Sequence, residues 1–132
     1  MITKAAAIVI KNKRVLYLRK KDFLFYILPG GRIELGETPE QALKREMGEE
    51  LSTDIEIKGF LGNITGCGFN QTLDELTPVS LDLYLVNLCN EPSLSGEIHD
   101  KSWVTYKNLH NFLMTPIGIE TVKFLHKKGL ID

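Results

Sequence analysis

Cysteine and tryptophan are scarce in this chain: two of the first and one of the second among 132 residues. Cys67 and Cys89 fall in no C-x-x-C or other metal-ligand spacing, which argues against a zinc-type cysteine site and favours free thiols over a disulfide. They read as buried thiols in a reducing cytoplasm. An excess of one charge is missing too. Lys and Arg number 16 against 17 Asp and Glu, a net charge of -1, so no basic field draws in DNA. A phosphate-bearing ligand would have to be held by metal and a few local cations. No apolar run approaches the ~20 residues of a membrane span. The opening Met1-Ile2-Thr3-Lys4-Ala5 lacks the apolar length and cleavage pattern of a signal peptide. No linker, repeat or low-complexity segment interrupts the chain. What is present is ordinary for a globular protein, 43% hydrophobic and 25% charged residues. The length suits one domain spanning 1–132.

Two strands are expected at residues 5–10 and 14–19, joined by a hairpin turn at Lys11-Asn12-Lys13. Residues 22–28 are aromatic and apolar and run into Pro29-Gly30-Gly31. A strand is expected at 55–61, then a polar, glycine-bearing loop at 62–77, near whatever site the chain carries. The clearest strand is 79–88, where Leu81, Leu83 and Leu85 face one way. A short strand begins at Trp103. The final helix is capped by Thr115, starts at Pro116, carries Lys127 and Lys128 at the negative end of its dipole and stops at Gly129. Strands on both sides of two helices predict an α/β fold, a mixed β-sheet with helices packed on its faces.

The densest information lies in residues 30–53, GGRIELGETPEQALKREMGEELST. Thr38 can cap a helix, Pro39 suits its first position, and Gln41 can close a capping box. At i, i+3 and i+4, Glu46, Glu49 and Glu50 then share an arc of about 100°. Like charges at those spacings weaken a helix by roughly 0.2–0.5 kcal/mol per pair. A hard divalent cation such as Mg²⁺, which takes oxygen ligands, would offset that repulsion. An isolated E-x-x-E-E is more often a solvated acidic face. Here Leu43, Met47 and Leu51 form a core-facing stripe beside the acids, which puts the carboxylates at a rim. The helix is also entered from a glycine pair, where backbone can approach a ligand closely. Glu37 and Arg45 offer an ion pair between turn and helix.

Gly31, five residues, Glu37, seven residues, then Arg45-Glu46-Met47-x-Glu49-Glu50 resembles the box of the Nudix hydrolases, G-x(5)-E-x(7)-R-E-U-x-E-E-x-G-U, U being aliphatic. Ser52 and Thr53 depart from it, standing where the family has glycine and an aliphatic residue. Tyr26-Ile27-Leu28-Pro29-Gly30-Gly31 is similar to the family's lead-in, and Glu97 followed by Trp103-Val104 to its downstream landmark. The resemblance is to MutT-like nucleotide pyrophosphohydrolases and implies an α/β/α sandwich. It implies metal ligation by Glu46, Glu49, Glu50 and the Gly31 carbonyl, with Mg²⁺ as cofactor and Mn²⁺ as a substitute. The catalytic set it implies is Glu46, Glu50, Arg45 and Glu97, with Arg45 orienting its neighbours. Glu97 is the expected outside base, on a loop with Asp100 as its rival and with His99; a box glutamate is the other candidate, and a plain surface role for Glu97 stays open. Arg32 can touch a phosphate or be solvated. Tyr26, with Phe23 and Phe25, can stack on a base or belong to the core.

The implied activity is Mg²⁺-dependent hydrolysis of a nucleoside diphosphate linked to another moiety, with a nucleoside triphosphate or modified nucleotide as leading substrate and a nucleoside monophosphate as product. Subclass signatures for ADP-ribose and dinucleoside polyphosphates are missing, since Phe69 and Asn70 occupy their positions. The oxidised-guanine signature is missing too, because Ile117-Gly118 follows Pro116. The partner expected is a small nucleotide-type molecule, with no membrane and no DNA; cations at positions 11–21 keep an RNA 5′ end open. A silent nucleotide sensor is the remaining alternative, against which the intact glutamates argue. Monomer and homodimer are both compatible with the sequence.

Overall fold

The computed structural model describes residues 1–70 and 73–132. The order is β1 (Ile2–Ile8), β2 (Ile10–Lys11), β3 (Arg14–Lys20), β4 (Gly30–Arg32), α1 (Pro39–Leu51), β5 (Ile55–Asn70), β6 (Glu75–Leu88), β7 (Ile98–Val104) and α2 (Pro116–Lys127). One sheet has the order β4-β1-β6-β5 and is mixed: β1 runs parallel to β6, and the other pairs are antiparallel. A smaller antiparallel sheet has the order β2-β3-β7. Strand alternation divides the interior in two. Ala5 and Ala7 of β1, with Leu16 and Leu18 of β3, pack against Leu43, Met47 and Leu51 of α1. Ala6, Ile8, Val15 and Tyr17 point the other way, toward Ile117, Val122 and Leu125 of α2. The result is the helix–sheet–helix layering expected from the sequence.

The first expected strand is broken. The chain leaves the large sheet after Ile8 and joins the small one at Ile10, so β2 and β3 make the hairpin. Asn12 and Lys13 both have positive φ, 54° and 58°, as a tight two-residue hairpin turn requires.

The loop expected at 62–77 is instead mostly strand. β5 continues to Asn70 and β6 begins at Glu75; the part of that loop at 71–72 lies outside the described residues. The glycines that suggested a loop serve the sheet. The β5–β6 register shifts between Ile57 and Gly59 and again between Phe60 and Gly62, so these glycines sit at bulges. Gly66 and Gly68 lie under α2, where a Cβ would meet Ile117 at 3.5 and 3.4 Å. The last strand also differs. β7 starts at Ile98, which takes His99 and Asp100 out of the expected loop and into a strand. Cys67 and Cys89 are free and exposed, not buried, because both fall on outward strand-edge positions of the β5–β6 hairpin and its exit.

Candidate active site

Helix α1 carries the acidic residues, and its start is built as its sequence suggests. Thr38 accepts from the Gln41 main-chain N–H at 3.1 Å, and the Gln41 side chain accepts from Thr38 N–H at 2.9 Å. Leu43, Met47 and Leu51 are fully buried, worth roughly 1.5–3 kcal/mol each, and they fix the helix rotation. That rotation brings Glu50 inward. Its carboxylate is 4% exposed; Oε1 accepts from the Gly30 N–H at 2.8 Å, and Oε2 is buried without a hydrogen-bond partner. Lys20 Nζ stands 3.7 Å from Oε2. Burial pushes the Glu50 carboxyl up to about 7, against the pull of the Gly30 N–H and Lys20.

Arg45 organises the turn. Its Nε and Nη2 donate to Glu37 Oε2 and Oε1 at 2.8 and 3.0 Å, a bidentate grip that holds the Glu37 carboxyl down at about 2. Its Nη1 donates to Glu46 Oε1 at 2.8 Å, and Nη2 reaches the Arg32 carbonyl at 3.2 Å. Glu49, more than half exposed, lies 3.6 Å from the same guanidinium. The like-charge repulsion on α1 is therefore partly offset by Arg45.

Gly30 and Gly31 run directly past these acids. A Cβ on Gly30, whose φ is 130°, would overlap the Ala5 carbonyl oxygen. A Cβ on Gly31 would come within 2.5 Å of the Glu46 carboxylate. At Gly30 only glycine lets the strand pass so close, whereas at Gly31 a side chain would push the Glu46 carboxylate aside. Among the described residues, no three acidic, histidine or cysteine side chains are placed to hold a metal ion as they stand. Glu46 is turned toward Arg45, Glu49 toward solvent, and Glu50 toward Gly30. The donor set nonetheless suits a hard cation: it is all oxygen, it lines a glycine cradle, and Glu50 Oε2 is a buried carboxyl oxygen without a hydrogen-bond partner, with only the Lys20 ammonium near it.

Beside the cradle opens a cavity of about 290 Å³, between the glycine turn, the end of β5 and the first turn of α2. Lys4, Lys20 and Arg32 line it, Lys4 and Arg32 being cross-strand partners. Burial, followed by the charges of Lys20 and Arg32, lowers the Lys4 pKa. Phe23 and Phe69 form another wall, their ring centroids 5.0 Å apart. Sequence reasoning missed Lys4, offered Lys20 only as one of the cations at positions 11–21, and gave Phe69 no site role. Lys4 left a signal, since it shares a strand face with Ile2, Ala6 and Ile8, where a lysine is out of place.

Tyr26 is placed elsewhere. Its hydroxyl donates to Asp100 Oδ2 at 2.6 Å, its ring packs edge-on against Phe112, and it does not line the cavity. Asp100 is correspondingly occupied, its other oxygen accepting from the Lys101 N–H at 2.8 Å. Glu97 is exposed at the end of a segment tied to the acidic helix: Ser93 N–H donates to the Leu51 carbonyl and Ser95 N–H to that of Glu50. The Glu97 carbonyl in turn accepts from Lys21 N–H at 2.7 Å. Ser52 ends α1 in the left-handed region, φ 51°, the conformation glycine would supply. Thr53 is buried with its hydroxyl on Asn90 Oδ1 at 2.9 Å, a polar substitute for aliphatic packing.

The family model for the NUDIX domain matches residues 1–126. The chain belongs to the NUDIX family. It is 36% identical over 61 residues to a MutT-like protein of Streptomyces ambofaciens, a match covering 46% of this chain and 40% of that protein. The first relatives are thus matched over less than half of their length. The nucleoside triphosphatase NudI of Escherichia coli O17:K52:H18 is 28% identical over 116 residues, covering 80% of this chain and 77% of NudI. The fold is shared with the MutT protein of Methanosarcina mazei Go1, at a TM-score of 0.78 and 18% identity over 97% of this chain and 94% of that one.

Proposed function

We propose that this NUDIX protein is a divalent-metal-dependent hydrolase of phosphoric anhydrides. It cleaves a nucleoside diphosphate linked to another moiety, with a nucleoside triphosphate or modified nucleotide as leading substrate and a nucleoside monophosphate as product. One observation carries the reading: the acids of α1 and the Gly30-Gly31 strand form the lip of a cavity lined by Lys4, Lys20 and Arg32. Anionic oxygens beside a cluster of cations suit a polyphosphate bound through metal on one side and through ammonium and guanidinium groups on the other.

Glu46, Glu49, Glu50 and the Gly31 carbonyl would hold Mg²⁺, or Mn²⁺ in its place. When bound, such an ion withdraws charge from the bridging oxygen and lowers the pKa of water. The chain's own residues do the rest. Lys4, Lys20 and Arg32 hold phosphate oxygens and orient the anhydride, which is most of what phosphoryl transfer asks of a protein. Arg45 is a positioning residue, fixing Glu46 through one guanidinium nitrogen while two others lock Glu37. Glu97 accepts the proton of the attacking water as the new P–O bond forms and the bridging P–O bond breaks. Its tether to the carbonyl ends of α1 through residues 93–97 supports that role.

The test is a product analysis with Mg²⁺ over nucleoside triphosphates, modified nucleotides, nucleotide sugars, ADP-ribose and 5′-triphosphorylated RNA. Metal-dependent release of a nucleoside monophosphate is expected; turnover that survives EDTA, or inertness to the whole panel, contradicts it. Arg19, Lys21 and His99, which line a shallow hollow beside Phe23, favour the RNA 5′ end as second reading.

A further inference from the structure

Resting on the reading of a nucleotide hydrolase, we propose that this site grips the base by stacking and apolar contact and does not read its hydrogen-bonding edge, so that the enzyme discriminates weakly among bases. The side chains of the cavity offer very little to read with. Among the described residues lining it, the side chains carrying nitrogen or oxygen are Lys4, Lys20, Arg32 and Thr115. The first three are the cations assigned to phosphate. Thr115 is buried, and its hydroxyl oxygen accepts from the Gly118 N–H at 3.4 Å as the cap of α2.

Several main-chain groups around the cavity are engaged as well. The N–H and carbonyl of Ile27 both bond to Leu18 at 2.7 Å, and the Pro29 carbonyl accepts from Ala7 N–H at 2.9 Å. The Thr115 carbonyl accepts from Ile119 N–H at 3.1 Å. The Gly118 carbonyl accepts from the buried Tyr17 hydroxyl at 2.8 Å. The other large side chains that line the cavity are carbon only, among them Val79, Leu81, Ile117, and the rings of Phe23 and Phe69. A volume of about 290 Å³ is at the small end of ligand sites, which begin at roughly 300 Å³, and suits a single flat ring system.

Discrimination follows from that chemistry. A site built to hydrogen-bond a substrate rejects the analogue lacking the group by 10⁴–10⁵, whereas an apolar pocket separates its ligands by roughly 10–200-fold. Every base has a π-face, so stacking on Phe23 and Phe69 serves purine and pyrimidine alike.

The experiment is a direct competition among dATP, dGTP, dCTP and dTTP with Mg²⁺, yielding relative kcat/KM. The four values are expected to fall within about a hundredfold of one another. Phe69→Ala is expected to raise KM for all four by a similar factor, about ten- to a hundredfold, with kcat little changed. Phe69→Leu serves as the milder variant should the alanine protein fold poorly, and it should show a smaller, equally uniform rise. Preference for one base by more than a thousandfold overturns the inference while leaving the hydrolase reading intact. A loss confined to one base in either variant overturns it too. Inertness toward every nucleotide overturns the reading on which it rests.

Discussion

Glu50 meets two opposing demands. Packing beside Leu51 and Met47 buries it, and burial disfavours its charge, yet a metal ligand must be ionised. Its carboxyl sits at about 7, above the ordinary 4.5, so the folded, metal-free protein prefers it protonated. That contribution to stability is fully present below the unfolded value and is lost as pH rises through the folded one. Metal-free protein should therefore lose up to about 3 kcal/mol between pH 5 and 8 from this group, and Glu50→Gln should flatten that slope. Thermal melts in EDTA at both pH values check it; parallel slopes in parent and variant contradict it. Arg45 makes a different prediction. Lysine cannot supply the fork that grips Glu37 while another nitrogen holds Glu46, so Arg45→Lys should lower Tm and kcat together. A rise in KM at unchanged Tm would mean that Arg45 contacts substrate instead.

Among the elements, α1 was the most readable, because its signals are local. Thr38, Pro39 and Gln41 define its start, and the spacing of Leu43, Met47 and Leu51 fixes which face is inward. The departure at Ser52 did not alter the exit, since serine accepts the left-handed conformation at a cost. Ser52→Gly should accordingly stabilise the protein by about 0.5–1 kcal/mol in denaturant titration; no gain would mean that the serine hydroxyl repays the strain. The long β5 was misread for the opposite reason. Gly62, Gly66 and Gly68 look like loop residues in sequence, but their small size answers to Phe124 and Ile117 of α2, far along the chain. Single-chain patterning carries no trace of a neighbour that distant. The start of β7 escaped for a related cause: Asp100 is fixed by Tyr26, from a different part of the chain.

At the scale of the whole molecule, the same contrast divides the site. The acids and their glycine lead-in occupy one continuous stretch and could be read directly. The cavity could not, since β1, β3, the glycine turn, β5 and α2 each contribute a part of its wall. Glu97 belongs to this long-range half. If it is the base, Glu97→Gln should leave Mg²⁺ affinity intact while single-turnover rates fall roughly 10²–10⁴-fold, whereas Glu46→Gln should weaken Mg²⁺ binding as well. Parent-like turnover by Glu97→Gln would return the role to the box. Every step proposed for this protein depends on metal held by α1 at the lip of the cavity. The most direct test is a calorimetric Mg²⁺ titration of parent and Glu50→Gln, with nucleotide turnover followed in the same samples. Saturable binding that parallels the rise of turnover in the parent, both lost in a folded Glu50→Gln protein, is the predicted result. Undiminished Mg²⁺ binding and turnover in that variant would contradict it.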